Sequence, residues 1–87
     1  MAPARPFQRL FGRTIQTKML DLAWTHRDEP LNLYEASRRL RVNYPYTTNL
    51  AKVLARVGLL VRTKKGREVE IGLNPKHPLV RRLTTRR

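Results

Sequence analysis

Apolar positions recur at helical spacing in three stretches of this chain and then switch to strand-like alternation. From Thr14 to His26, Ile15, Met19, Leu22, Ala23 and His26 fall on one face of an amphipathic helix, with Thr14 as its N-cap. Leu20 and Trp24 form a second apolar pair beside that stripe, placed to pack under a terminal segment or to face another chain. Arg27 to Leu31 reads as a turn, and Pro30 ends the first helix. Asn32 followed by Glu35 resembles a capping box, opening a second helix to about Arg41 with Leu33, Ala36 and Leu40 inward. After a turn at Val42 to Tyr44, a third helix is predicted over 45–57, where Pro45 suits the first turn. Thr47, Leu50, Ala51, Leu54, Val57 and Gly58 share about a third of its circumference, opposite Thr48, Asn49, Lys52 and Arg56.

Gly58 stops that helix, and the period changes. Leu59 to Thr63 and Glu68 to Leu73 are β-prone, the second run alternating Val69, Ile71 and Leu73 with Glu68, Glu70 and Gly72. Between them Lys64-Lys65-Gly66-Arg67 reads as a hairpin loop. Pro78 to Thr85 can form a last helix, with Leu79, Val80 and Leu83 apolar. At the other end the first six residues read as a flexible basic arm, and Phe7, Leu10 and Phe11 could dock a short helical turn on the core. The expected division is a basic arm at 1–13, a folded domain at 14–75 and a basic helix or tail at 76–87. The expected class is α+β, mainly α: three helices, a two-stranded β-hairpin and a short C-terminal helix.

Composition narrows the function. The 87 residues suit one domain with a modest core, and there is no cysteine for disulfides, thiol nucleophiles or thiolate-bound metals. No apolar run is long enough to span a membrane, and a signal-peptide core is absent from the N-terminus, so a cytoplasmic protein is expected. Nineteen Lys and Arg against six Asp and Glu give a net charge of +13. Such an excess repels itself unless a polyanion supplies the counter-charge, and nucleic acid is the commonest one, ahead of an anionic membrane surface. The single Ser, few Gln and many Arg suit a thermophile or a GC-rich genome. The six acids form no pair with a histidine in a recognisable site, and no phosphate-binding glycine loop is present. No enzyme, cofactor or metal site is expected; His26 and His77 stand singly in unlike surroundings.

Three helices followed by a hairpin is the order of a winged helix-turn-helix. The run "LRVNYPYTTNLAKVLARVGLLVRTKKGREVEIGLNP" resembles the recognition helix and wing of MarR-like and ArsR-like repressors. In those families a turn after a small apolar residue, here Val42, leads to a helix ending in Gly-Leu-Leu or Gly-Leu-Val, here Gly58-Leu59-Leu60. A basic wing follows, here Gly66-Arg67-Glu68-Val69, and "NPKHPLVRRL" is similar to the opening of a C-terminal helix in some ArsR-like regulators. Two features depart from the pattern. Tyr44-Pro45-Tyr46 replaces the usual small polar residues, and the Cys and His cluster of metal sensors is absent.

The resemblance implies a double-stranded DNA-binding protein, a small transcriptional regulator that reads the major groove with helix 45–57. Its wing at 62–68 would contact the backbone or the minor groove. Tyr44, Tyr46, Thr48, Asn49, Lys52 and Arg56 are the candidate contacts on the helix, with Asn49 able to pair bidentately with adenine. Arg62, Lys64, Lys65 and Arg67 are the candidates on the wing, although lysines on an exposed hairpin also guard against edge pairing. Arg5, Arg9 and Arg13 could enter a minor groove, and Arg81, Arg82, Arg86 and Arg87 could meet phosphates or form a solvated end. Leu20, Trp24, Leu79, Val80 and Leu83 are candidate contacts of a homodimer on a pseudo-palindromic site. An architectural DNA binder with little sequence preference, or a winged module that binds RNA or protein, stays open beside this reading.

Overall fold

The computed structural model describes residues 5–85, with side chains placed from Arg5 to Leu83. Five helices and three short strands follow one another: α1 (Pro6–Phe11), α2 (Ile15–Thr25), β1 (Leu31–Asn32), α3 (Leu33–Leu40), α4 (Tyr44–Arg56), β2 (Leu60–Lys65), β3 (Glu68–Leu73) and α5 (Pro78–Thr85). This is the winged-helix arrangement, mainly helical with a small antiparallel sheet.

Within the basic segment expected at 1–13, the short helical turn expected around Phe7, Leu10 and Phe11 is a helix from Pro6 to Phe11. Pro6 opens α1, where its missing N–H costs nothing. Arg5 provides no cap, so the cap comes from elsewhere in the chain. The buried carboxylate of Asp21 on α2 accepts the backbone N–H of Phe7 at 2.8 Å and of Gln8 at 3.0 Å. Phe7 is fully buried, whereas Leu10 and Phe11 are 57% and 58% exposed. One of the three apolar residues therefore docks, and it carries a helix with it. Residues 1–4 of the expected arm lie outside the described residues.

Thr14 caps α2 as expected, in a reciprocal box with Thr17: each residue's hydroxyl oxygen accepts the other's backbone N–H. The buried side of α2 is not the single stripe that its periodicity suggests. Met19, Leu20 and Ala23 are buried with Thr17 and Asp21, while Ile15, Leu22 and Trp24 pack at the margin of the core. The reason is that α1 covers one side of α2 while α3 and β3 cover another.

Leu31 and Asn32, at the end of the expected turn, form a third strand beside the hairpin, in the order β1-β3-β2. Leu31, Leu60 and Ile71 bury one face of this sheet against the helices. Asn32 caps α3 through its side-chain oxygen, but Glu35 does not close a box; it pairs instead with Arg39 at 3.0 Å. Arg41 ends α3 in the left-handed conformation, φ 61°, a position that glycine usually fills. Asn43 then caps α4 by accepting the N–H of Tyr46 at 2.8 Å. Leu50, Ala51, Leu54 and Thr47 are the buried face of α4. Val57 was expected there too but is exposed, because it lies just past the last helical turn as the C-cap. The hairpin turns in two residues, Gly66 and Arg67, with Gly66 supplying the positive φ of 60°. Val80 of α5 is buried in the core.

Candidate nucleic-acid interface

α4 presents its interface because its caps and core residues fix its rotation. With Thr47, Leu50, Ala51 and Leu54 inward, the face carrying Asn49, Lys52 and Arg56 points to solvent. Tyr44 and Tyr46 are exposed at its N-terminal end, where the helix would meet base edges. Thr48 is placed differently from the others. It is half-buried, and its Oγ1 is buried with no hydrogen-bond partner among the described residues, so the hydroxyl is not offered to a ligand in this rotamer.

Strand alternation sorts the wing cations. Arg62 is opposite Ile71 and Lys64 opposite Val69, on the sheet face that buries Leu60 and Ile71. Lys65 is opposite Glu68 on the reverse face, and its ammonium approaches Glu70 at 3.9 Å. Arg67 occupies the turn itself. The four candidates are therefore not one tip: Arg62 and Lys64 lie toward the helices, and Lys65 lies behind, beside an acid.

Between the wing and the N-terminal ends of α3 and α4 runs an open cleft lined by Asn32, Tyr34, Glu35, Tyr44, Arg67, Glu68 and Val69. Tyr34 and Tyr44 meet there with ring centroids 6.2 Å apart. Tyr34 had no part in the sequence-based site, although an exposed tyrosine beside a helix N-cap was a usable signal. The bond from Asn32 to Glu68 across this cleft joins residues 36 apart and had no local signal.

The terminal candidates separate in the same way. Arg5 precedes α1, Arg9 lies within it and Arg13 follows it, so these arginines ride on a docked helix rather than an extended arm. Arg5 and Arg13 share a depression with Lys18 and Arg39. Arg81 and Arg82 are exposed on α5, and Arg86 and Arg87 lie outside the described residues. Of the apolar residues expected to pair two chains, Leu20 and Val80 are buried in the monomer's own core, which α1 and α5 help to close. Leu79 and Leu83 pack partly against that core, and Trp24 is covered by the Arg27 guanidinium at 4.4 Å.

Among the described residues no three His, Asp or Glu side chains gather as a metal site would require, and no helix is long and apolar enough to cross a membrane.

The sequence matches no protein-family model and no curated protein. The fold does have solved relatives. The Staphylococcus aureus MepR–DNA complex is similar with a TM-score of 0.70 and 25% identity, over 92% of this chain and 68% of MepR. MepR in its DNA-binding conformation gives 0.68 and 25%, over 95% and 64%. MepR as the transcription regulator of the multidrug efflux pump MepA gives 0.70 and 23%, over 92% and 61%. The chain thus spans about two-thirds of the length of MepR. Fold and likeness together define a winged helix-turn-helix domain similar to that of MepR.

Proposed function

We propose that this protein binds double-stranded DNA as a small transcriptional regulator, with α4 in the major groove and the wing along the adjacent backbone or minor groove. The observation that carries the reading is the outward face of α4. Tyr46, Asn49, Lys52 and Arg56 are exposed on a helix whose caps and buried residues fix its rotation, beside a wing bearing Arg62 and Lys64 on its helix-facing side. The likeness to DNA-bound MepR supports the same placement. A net charge of +13 supplies the long-range attraction. The finer parts of the proposal are base reading by Asn49, phosphate contacts by Lys52, Arg56, Arg62, Lys64 and Arg67, and a homodimeric, non-enzymatic, cytoplasmic protein.

The test is a binding titration on a selected duplex, a random duplex and a structured RNA, each at two salt concentrations. A regulator binds the selected duplex far more tightly than the random one. Equal affinity for both duplexes would point to an architectural binder, and preference for the RNA would overturn the proposal.

A further inference from the structure

The strand β1 supports only part of the wing. Leu31 and Asn32 pair with Ile71 and Glu70, whereas β2 and β3 stay paired outward to Lys65 and Glu68. Beyond Glu70 the wing is a two-stranded ribbon, which has little stability of its own in water. One side chain reaches past the end of β1 to hold it. Asn32 Nδ2 donates to Glu68 Oε1 at 2.9 Å, on the last strand pair before the turn. The Oδ1 of the same amide accepts the backbone N–H groups of Tyr34 at 2.8 Å and Glu35 at 3.2 Å, capping α3. An asparagine offers donor and acceptor on separate atoms; an aspartate would cap as well but has nothing to donate.

We infer that Asn32 is a positioning residue for DNA binding: through Glu68 it fixes the direction of the wing relative to the helix-turn-helix. The inference rests on the DNA-binding reading above. Asn32 does not itself contact DNA in this scheme; it sets where Lys64 and Arg67 stand with respect to α4. Because one amide makes both contacts, the start of α3 and the outer wing move as one body. On the same sheet face Lys65 approaches Glu70, so the two wing carboxylates have different partners.

The test is a cycle of substitutions, Asn32→Asp with and without Glu68→Gln. Asn32→Asp keeps the cap and sets two carboxylates against each other, so the wing is released while α3 stays formed. Adding Glu68→Gln restores the bond with donor and acceptor exchanged. In the free protein, amide hydrogen exchange across 64–69 should quicken about 2- to 10-fold in Asn32→Asp, the worth of one net hydrogen bond. It should return to the parent rate in the double variant. Duplex affinity should fall with Asn32→Asp when Glu68 is present and change little in the Glu68→Gln background. Equal losses in both backgrounds would show the new charge acting on DNA directly and would overturn the inference, as would unchanged exchange. A parent protein that binds no duplex would sink the DNA-binding reading and this role with it, while the exchange data would still report whether Asn32 holds the wing.

Discussion

Single side chains decide how the terminal and turn segments of this domain are held. Asp21 is 4% exposed and satisfies two N–H groups at the start of α1, where the local sequence provides no cap. Asp21→Ala should cost about 1–3 kcal/mol, since it strips buried donors of a charged acceptor. Asp21→Asn should cost less, because its amide oxygen can still accept. Chemical denaturation of both variants measures this, and an unchanged midpoint for the alanine variant would show that α1 is held by Phe7 alone. Arg41 presents the opposite case. Its left-handed backbone is strained for any residue with a Cβ, and its side chain is exposed. Arg41→Gly should therefore raise stability by up to about 1 kcal/mol, less whatever the flexible glycine adds to the unfolded state. A loss of stability would mean that the Arg41 side chain makes contacts that outweigh its backbone strain. Neither role was legible in the sequence. The Asp21 contacts join positions 13 and 14 residues apart, and nothing about an arginine announces positive φ.

At the scale of elements, helix existence was legible and helix environment was not. Period, the Thr14 and Asn32 caps and the prolines located α2, α3, α4 and α5, because these signals act locally, whereas the Asn43 cap of α4 emerged only in the structure. The buried side of α2 was misjudged because neighbours cover it from two directions, and no single-helix period encodes that. The strand β1 is two residues long, too short to show any alternation. The wing is the instructive case, since its signal was present: a period of 2 already separates Lys64 from Lys65. The two should therefore behave differently on DNA. Lys64→Ala should weaken binding to all duplexes and reduce the slope of log K against log salt by about 0.9, one phosphate contact. Lys65→Ala should change that slope much less, because its ammonium faces away and lies near Glu70. Salt titrations of both variants decide it, and equal slopes would restore the single cationic tip. On α4, Asn49→Ala should cost roughly 1–3 kcal/mol on the selected duplex and little on random DNA, with the salt slope unchanged. Equal losses on the two duplexes would remove base reading by Asn49.

At the scale of the whole molecule, the proposed homodimer has to bring two strongly basic copies together, which a shared DNA polyanion assists. Among the described residues Glu35 pairs with Arg39, Glu70 lies near Lys65, and Asp21 is committed to α1. In the proposed arrangement a symmetric dimer would double the readout of one small domain by placing α4 of each copy in successive major grooves. With Leu20 and Val80 committed to the core, and Val53 and Val57 on or just past the proposed DNA-binding helix, the spare apolar surface for pairing is that of Leu10 and Phe11 on α1, which remain more than half exposed. The proposed homodimer should therefore depend on them. The combined change Leu10→Ser and Phe11→Ser should shift the protein from dimer to monomer in sedimentation equilibrium at micromolar concentration. It should leave the unfolding midpoint of the monomer nearly unchanged, since neither side chain belongs to the core. On a duplex with two half-sites the variant should lose cooperativity, while its affinity for a single half-site should stay that of the parent. A parent protein that sediments as a monomer, free and on DNA, would refute the pairing. A dimer that survives the double change would move the interface to another surface, with α5 the next to vary through Leu79 and Leu83.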